Sequence, residues 1–453
     1  MDPSWEAEPM SRIHFLLLSL FVLLFAGEIA MAQGSGQSKT AEKFLLLLKS
    51  AKYAEAEALM DAKMKAALGG DKLAQTWRSI LTPLGQLKTL GSARESQLPG
   101  GYKVNLLLAE FERGKKDLQV AIDPQGAVCG FFVKEPEQVS VEPPYADRAK
   151  FTESKVKVGS AEFILDGTLS MPAGEGPFPG IVLVHGSGPH GQDEVVGGIK
   201  VFRDLAWGLA SRGIAVLRYN KRSFQHAQKL VPLVDKLTLK EETIDDAVAA
   251  LKTLKANARI DKNRTYILGH SLGGMAMPRI ARDATDAAGF IIMAGSTRPL
   301  EDLIVEQTEY IYSLQGKKSA EQEKSIADLK EMAKKVKNPS LSSATPAKEL
   351  PLGVPAAYWL DLRAHDPADE IKAVSQPLLI LQGEKDYQVT SKDLERWKQS
   401  LAGRANVTIK TYPGLGHCFT RAGEKPGPSD YEKAQNVSVS VIDDIAGWVN
   451  KNK

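Results

Sequence analysis

Apolar and polar positions follow two different periods along the first part of the chain. Between residues 41 and 81 apolar residues recur at helical intervals, in one segment over residues 41–60 and a weaker one over residues 64–81. The period then becomes two: Val104, Leu106 and Leu108 alternate with Asn105 and Leu107. Turn residues separate three predicted strands, at 104–108, 118–122 and 128–133. We therefore predict a small α+β domain over residues 41–134.

A stretch rich in proline and glutamate, residues 135–150, follows this domain and is predicted to be a linker. From residue 151 onward, apolar runs alternate with helical segments, as in an α/β sheet. The predicted strands lie at 155–158, 163–171, 181–184, 214–219, 265–268, 289–293, 378–381 and 407–411. Helices are predicted at 202–212, at 243–257 with Thr243 as its N-cap, and at 437–450. We expect a mostly parallel sheet flanked by helices over residues 151–453.

Residues 297–373 interrupt this alternation. Two segments inside them, 303–314 and 317–337, have helical patterns, and Asn338-Pro339 ends the second. An insertion of this length is more consistent with a helical cap than with a loose loop. We interpret its run of lysine and glutamate residues as a solvated helix face, not as an anion-binding site.

The chain begins with features of a secretory signal peptide. An apolar run at residues 15–26 precedes an A-x-A pattern that ends at Ala32, so cleavage is predicted after Ala32 and the signal over residues 1–32. The run is shorter than the ~20 apolar residues that a membrane span needs. Three acidic residues among the first nine do not fit a basic n-region, and a start at Met10 would give a better signal. We expect an exported protein, periplasmic or secreted, with an uncleaved N-terminal anchor as the alternative.

Composition excludes several classes of protein. The 453 residues are 43% hydrophobic, which is enough to build cores and excludes wholesale disorder. With 58 Lys and Arg against 55 Asp and Glu, the charge gives no support for nucleic-acid binding. Two cysteines, Cys129 and Cys418, exclude a disulfide scaffold, a zinc ribbon and a CxxC redox site.

The strongest chemical signal is the G-x-S-x-G pattern of residues 269–273. It follows the predicted strand at 265–268 and precedes a helical stretch at 274–283, which is the context that a nucleophile elbow requires. Glycines on both sides let strand and helix approach closely enough for a strained turn to present the serine hydroxyl. Ser271 is therefore the candidate nucleophile.

A serine hydroxyl needs a base, and the base needs an acid to orient it. In the order serine, acid, histidine, only His365 and His417 remain as bases. We favour His417, which lies in a glycine-rich loop after the last strand, over His365 in the cap segment. Asp386 lies beyond the carboxyl end of the strand at 378–381, and we favour it as the acid over Glu384.

Two backbone N–H groups must stabilise the oxyanion. One candidate is the amide of Leu272, directly after the nucleophile. The other is the amide of Ser187, in the loop His185-Gly186-Ser187-Gly188-Pro189 that follows the strand at 181–184. This glycine-rich loop is a weak motif on its own. Its position ahead of the nucleophile elbow is what favours an oxyanion role.

Three cations lie at the end of the strand at 214–219 and directly after it: Arg218, Lys221 and Arg222. They could hold an acidic substrate. We favour an ion-pair network instead, because cations near a buried sheet edge need partners. The nearby acidic residues in the sequence are Asp193, Glu241 and Glu242.

These motifs together resemble the α/β-hydrolase superfamily, and within it the bacterial exported esterases of the dienelactone-hydrolase-like group. The resemblance covers the chain from about residue 155 to its end. It rests on the segments HGSGP at 185–189 with DE at 193–194, RYNKR at 218–222, GHSLGG at 269–274, LQGEKDYQV at 381–389 and GLGHCF at 414–419. It implies triad roles for Ser271, Asp386 and His417, and oxyanion roles for Ser187 and Leu272. Residues 41–134 resemble a domain of unknown function often found ahead of such hydrolases.

We therefore expect a serine hydrolase, a carboxylesterase that acts on small-molecule esters through an acyl-enzyme. We expect no metal, no organic cofactor, no nucleic-acid partner and no membrane span after signal cleavage; the sequence assigns no oligomeric state. A serine peptidase or thioesterase of the same fold is the first alternative, since the same triad attacks amides and thioesters. The second is a non-catalytic binding protein on a hydrolase scaffold.

Overall fold

The computed structural model describes residues 38–97, 101–134, 136, 140–159 and 162–452. The predicted signal segment, residues 1–32, lies outside them. The described chain divides into two compact units near residue 138. Within this part of the chain, no helix has both the length and the apolar character needed to cross a bilayer.

The first unit consists of four helices followed by five antiparallel strands. The helices are α1 (Ser38–Lys49), α2 (Tyr53–Ala58), α3 (Ala62–Leu68) and α4 (Asp71–Leu84). The strands are β1 (Leu87–Leu90), β2 (Arg94–Gln97), β3 (Lys103–Phe111), β4 (Gly114–Ile122) and β5 (Val128–Lys134). Their order in the sheet is β1-β3-β4-β5, and β2 also pairs with β3. The predicted small α+β domain is thus present.

Two details of this unit differ from the sequence pattern. The helix expected over residues 41–60 is divided into α1 and α2, and Ala51 between them has a positive φ of 55°. In β3 the core-facing residues include Leu107 and Ala109, whereas Leu108 is 39% exposed. The buried polar Asn105 lies on the core-facing side, so the run of apolar residues did not by itself identify the buried face.

The second unit is built on an eight-stranded sheet. Its strands are β6 (Phe151–Val158), β7 (Leu165–Pro172), β8 (Phe178–Val184), β11 (Ala215–Tyr219), β12 (Ile260–His270), β13 (Gly289–Met293), β14 (Leu378–Gly383) and β15 (Val407–Tyr412). The order is β15-β14-β13-β12-β8-β11-β7-β6; β7 pairs antiparallel with both β6 and β11, and the other pairs are parallel. Two strands of two residues each, β9 (Val195–Val196) and β10 (Ile199–Lys200), form a hairpin that is separate from this sheet.

Helices cover both faces of this sheet. They are α5 (Val201–Ala210), α6 (Arg222–Gln225), α7 (Ala227–Leu230), α8 (Asp245–Lys255), α9 (Leu272–Met275), α10 (Met277–Asp283), α11 (Leu300–Ser313), α12 (Ala320–Lys337), α13 (Ala356–Arg363), α14 (Pro367–Glu370), α15 (Ser391–Ser400) and α16 (Val439–Lys451). Alternate strand residues point to opposite faces, so Val182 packs with α8 while Ile181 packs with α5 and α16. The predicted mostly parallel sheet flanked by helices is confirmed.

The register of the parallel strands aligns their carboxyl ends at one edge. Leu268 pairs with Leu183, His270 with Met293, and Gly383 with Tyr412. The loops after β8, β12, β14 and β15 therefore all open at the same edge of the sheet.

Within residues 297–373 the structure places α11, α12, α13 and α14, and Trp359 of α13 is fully buried in the core on one face of the sheet. The predicted N-cap of the helix after β11 is wrong. Residues Lys240–Ile244 form a π-helical turn that runs directly into α8, and the buried Thr243 hydroxyl has no hydrogen-bond partner in the described chain. The pattern missed this turn because a cap residue is recognised by composition, whereas the backbone here is already helical.

Candidate active site

Ser271 lies in the turn between β12 and α9, in a backbone conformation that residues other than glycine rarely adopt. Its φ is 53° and its ψ is −113°. The turn is tied to the neighbouring strand, because the Ser271 N–H donates a hydrogen bond of 2.9 Å to the carbonyl oxygen of Met293. Non-glycine residues in such conformations are strained and occur chiefly where the surrounding structure enforces them. The surrounding structure thus holds this half-buried serine at the sheet edge in a strained backbone conformation.

The glycines of the motif are required by crowding. A Cβ on Gly269 would lie 2.2 Å from the carbonyl oxygen of Gly273, and a Cβ on Gly273 would lie 2.4 Å from that of Val184. Both contacts are with backbone atoms, which cannot move aside as a flexible side chain could. The close approach of β12, α9 and β8 therefore depends on glycine at both positions.

Asp386 and His417 meet at the same edge. His417 Nδ1 lies 2.8 Å from Asp386 Oδ2, and the two residues are 5% and 6% exposed. Asp386 follows β14, and His417 lies in the loop after β15. A neutral imidazole donates from the nitrogen that faces a carboxylate, so Nε2 is left as the proton acceptor.

The carboxylate of Asp386 is itself held in place. Its Oδ1 accepts hydrogen bonds from the backbone N–H groups of Gln388 and Val389, at 2.8 and 2.9 Å. The competing acid, Glu384, is exposed and accepts a hydrogen bond from Thr411 Oγ1. The structure thus brings Asp386, and not Glu384, to the imidazole.

His417 Nε2 has no hydrogen-bond partner within the described residues, and no hydrogen bond joins it to Ser271 Oγ. His270, which directly precedes Ser271, has its ring centroid 4.8 Å from that of His417. Hydrogen bonds between a nucleophile and its base are often long without substrate and tighten when it binds.

His365 is placed away from this arrangement. Its Nδ1 lies 2.7 Å from Glu370 Oε1, and its Nε2 lies 2.9 Å from the carbonyl oxygen of Met275. Its side chain is only 1% exposed. Both ring nitrogens are occupied, so this histidine links α14 to α9.

The two amides expected to stabilise an oxyanion lie at the ends of β8 and β12. Leu272 begins α9, so its N–H points out of the first helical turn. Ser187 follows β8, and Gly186 before it is so close to Ser271 that a Cβ there would lie 3.2 Å from Ser271 Cβ. Within the described chain neither amide donates to a protein acceptor.

A buried carboxylate–imidazole pair beside the site was missed by sequence reasoning. Glu194 Oε2 lies 2.9 Å from His270 Nδ1, while Glu194 Oε1 accepts a hydrogen bond of 2.6 Å from the Gly186 N–H. His270 Nε2 in turn donates to the carbonyl oxygen of His417 at 3.0 Å. One pair thus connects the loops after β8, β12 and β15. Its only sequence signals were an acidic residue shortly after HGSGP and a histidine inside G-x-S-x-G.

The two partners hold each other in the charged form. Burial opposes the charge of Glu194, but His270 and its hydrogen bond lower the pKa of that carboxyl to about 2. Burial likewise opposes protonation of His270, but the Glu194 carboxylate and its hydrogen bond raise the pKa of the imidazole above its ordinary value. Glu194 has a positive φ of 45°, a further sign that this position is enforced by its contacts.

Other groups near the site are kept neutral by burial. Burial lowers the pKa of His185 to about 3. It raises the pKa of the Cys418 thiol well above its ordinary value, and this side chain is fully buried. Cys418 is therefore a packed thiol and not a nucleophile.

The three cations at the end of β11 and directly after it form ion pairs, the arrangement that we favour over a substrate-binding role. Arg218 pairs with Asp193 and Glu153. Lys221 lies 2.7 Å from Glu242, and Arg222 lies 2.6 Å from Asp246, whereas the third expected partner, Glu241, bonds to Thr238. Within the described residues no group of three or more His, Cys, Asp or Glu side chains could hold a metal ion.

Comparison with protein families gives two matches. Residues 181–426 match an alpha/beta hydrolase family, and residues 41–131 match a family of proteins of unknown function, DUF3887. These two regions coincide with the core of the second unit and with most of the first.

Individual proteins are also similar. The chain is 37% identical over 435 residues to esterase EstD of Thermotoga maritima, covering 96% of this chain and 100% of that protein. Among solved structures, Est1E from Butyrivibrio proteoclasticus is 17% identical with a TM-score of 0.42, covering 66% of this chain and 98% of that one. An esterase domain from Rhodothermus marinus is 14% identical with a TM-score of 0.41, covering 66% of this chain and 98% of that one.

The buried pair predicts a specific pH dependence of stability. The lowered pKa of Glu194 stabilises the fold above its ordinary value of 4.5, and this contribution is lost as pH falls toward 2. The raised pKa of His270 stabilises the fold below 6.5, and this contribution is lost as pH rises through the folded value. We expect Glu194→Gln to lower the free energy of unfolding by roughly 3 kcal/mol near pH 6, because it removes the carboxylate that keeps the buried His270 protonated and breaks a buried ion pair.

Urea denaturation at pH 3, 6 and 9 measures this effect, which should be largest at pH 6. Glu370→Gln is the matched control, because it alters another Glu–His pair whose carboxylate is 30% exposed and should cost less. A stability difference between wild type and Glu194→Gln that is constant across the three pH values would contradict the assignment.

Proposed function

This chain belongs to the alpha/beta hydrolase family, and from that premise we propose that it is a carboxylesterase that works through an acyl-enzyme on Ser271. The observation that carries this proposal is the buried hydrogen bond of 2.8 Å between His417 and Asp386, at the sheet edge where the strained turn holds Ser271. The similarity to an esterase over 96% of the chain supports the choice of ester as substrate.

In the proposed first step, Ser271 Oγ attacks the ester carbonyl carbon while its proton moves to His417 Nε2. The imidazolium that forms is stabilised by Asp386, whose second oxygen is already fixed by two backbone N–H groups. The carbonyl oxygen becomes an oxyanion and accepts hydrogen bonds from the Ser187 and Leu272 amides. When the intermediate collapses, the C–O bond to the alcohol breaks and His417 returns the proton to the departing oxygen.

Water completes the cycle in the second half. His417 takes a proton from the water, the hydroxide attacks the acyl carbon, and the same two amides stabilise the second oxyanion. Collapse breaks the bond to Ser271 Oγ, which takes back the proton, and the carboxylic acid leaves. Both halves of the cycle use Ser271, His417, Asp386 and the two backbone amides for every bond change in this scheme.

We expect Ser271→Ala to lower kcat for a short-chain p-nitrophenyl ester by at least about 1,000-fold, because the acyl-enzyme cannot form. Its melting temperature should not fall, since alanine removes only a half-buried hydroxyl. Loss of labelling by a fluorophosphonate probe is the parallel measurement. Ester hydrolysis or labelling that survives this change would contradict the proposal, and a panel of matched ester, thioester and amide substrates would show whether ester is the preferred class.

Asp386→Asn should lower kcat by roughly 100- to 10,000-fold, because the amide would favour the wrong tautomer of His417 and could not stabilise its cation. Glu384→Gln is the matched control on the same turn, with an exposed side chain, and should retain activity. Steady-state kinetics on the same ester separates the two. The reverse result, with Glu384→Gln the damaging change, would assign the acid to Glu384.

We also propose that the protein is exported by cleavage after Ala32. The support is the apolar run at residues 15–26 followed by the A-x-A pattern. N-terminal sequencing of protein secreted by an expressing bacterial host should find Gln33 first. Retention of residues 15–26 in a membrane-bound product would instead favour the uncleaved anchor.

A further inference from the structure

A buried lysine contacts the loop that carries one of the two oxyanion amides. Lys221 is 2% exposed, and its Nζ donates a hydrogen bond of 2.8 Å to the carbonyl oxygen of Gly186. Its charge is balanced by Glu242, 2.7 Å away. An ion pair with Glu242 alone would not require the ammonium to reach the Gly186 carbonyl.

The Gly186 carbonyl belongs to the same peptide unit as the Ser187 N–H. This peptide is trans, since the only cis bond in the described chain is Gly176–Pro177. The C=O and N–H of a trans peptide lie in one plane and point in opposite directions. By fixing the oxygen of Gly186, the ammonium of Lys221 therefore also fixes the direction in which the Ser187 N–H points.

The cation affects the strength of the amide donor as well as its direction. A cation that donates a hydrogen bond to the carbonyl oxygen draws electron density from the peptide nitrogen. Hydrogen bonds to the two ends of one peptide therefore strengthen each other. The effect is large where water is excluded, and both Lys221 and Gly186 are buried. The Ser187 N–H is thus a better donor to an oxyanion than an ordinary loop amide.

The surrounding contacts hold this lysine in one position. Glu242 Oε2 accepts a hydrogen bond of 2.6 Å from Tyr358 Oη, so the carboxylate that faces Lys221 is anchored to α13. The next carbonyl of the loop, that of Ser187, lies 2.7 Å from His190 Nε2. In many proteins the desolvation cost of burying a charged pair exceeds the attraction between the two charges. Stability alone is therefore a poor reason for this arrangement.

We propose that Lys221 is a positioning residue of the esterase reaction, which orients and polarises the Gly186–Ser187 peptide so that the Ser187 N–H stabilises the oxyanion. This inference rests on the proposed function. Lys221 touches no reacting atom and acts only through the peptide. Its contribution should therefore appear in the transition state and not in the binding of the substrate.

The test compares Lys221→Met with the double variant Lys221→Met/Glu242→Gln. The single change removes the ammonium but leaves a buried carboxylate unpaired, which endangers folding. The double change removes both charges, and glutamine can still accept the hydrogen bond from Tyr358. In both variants we expect kcat for a p-nitrophenyl ester to fall roughly 10- to 100-fold with KM changed less than about twofold.

An oxyanion-forming inhibitor separates positioning from a general loss of structure. Ser271 Oγ adds to the carbonyl carbon of a trifluoromethyl ketone while its proton moves to His417. The resulting oxyanion accepts hydrogen bonds from the same two amides. Its affinity should fall by the same factor as kcat/KM, while binding of the product carboxylic acid should stay unchanged. Lys255→Met is the matched control, because Lys255 also bonds a carbonyl and a carboxylate, both of Asp286, but at the opposite edge of the sheet. It should keep the wild-type kcat.

The outcomes distinguish this inference from the function on which it rests. A wild-type enzyme that hydrolyses the ester only when Ser271 is present establishes the function. If the folded double variant then keeps kcat within about twofold, or loses ketone and product affinity equally, the role of Lys221 is overturned while the function stands. If the wild-type enzyme neither hydrolyses esters nor reacts with the fluorophosphonate, both proposals fail.

Discussion

The site depends on one constraint, the register of the parallel strands. Pairing of β8, β12, β13, β14 and β15 aligns their carboxyl ends, so residues as distant in sequence as 187 and 417 leave the sheet at the same edge. Because side chains alternate across a strand, a slip of one residue in any pair would turn buried residues to the wrong face of the sheet. The buried apolar residues on both faces therefore stabilise the position of the polar loops through the register that they enforce.

Register brings the loops to the same edge, and buried polar contacts connect them there. The Glu194–His270 pair joins the loops after β8, β12 and β15, and Lys221 makes a further contact with the first of these loops, at the Gly186 carbonyl oxygen. Each of these groups loses hydration when it is buried, and each recovers that loss only if all its partners are present. Such a network is sensitive to single substitutions, since removing one member leaves charged or polar partners unsatisfied.

The sequence predicted those features that depend on local patterns. The strand-turn-helix context of Ser271, the order of the candidate residues and the sheet itself followed from short motifs and from the period of apolar residues. The buried face of β3 and the π-helical turn before α8 did not follow, because tertiary packing decided both. Glu194 and His270 could not be paired from sequence for the same reason: they are separated by 76 positions, and only the alignment of β8 with β12 brings them together. The cations after β11 were predicted to form ion pairs, but the carbonyl that Lys221 contacts carries no sequence signal at all.

The two proposed oxyanion donors illustrate this difference between local and long-range control. The Leu272 amide is fixed by its neighbours in sequence, since it opens a helix directly after the strained serine, and the turn that sets one sets the other. The Ser187 amide lies on a separate loop whose glycines leave its backbone free to rotate. Its direction is therefore set by side-chain contacts. Glu194 accepts from the Gly186 N–H and His190 contacts the Ser187 oxygen, both from the same loop, whereas Lys221 reaches the Gly186 oxygen from the segment after β11. A donor on a flexible loop becomes preorganised only when such contacts restrict it, and preorganisation is what makes a hydrogen bond effective in stabilising a transition state.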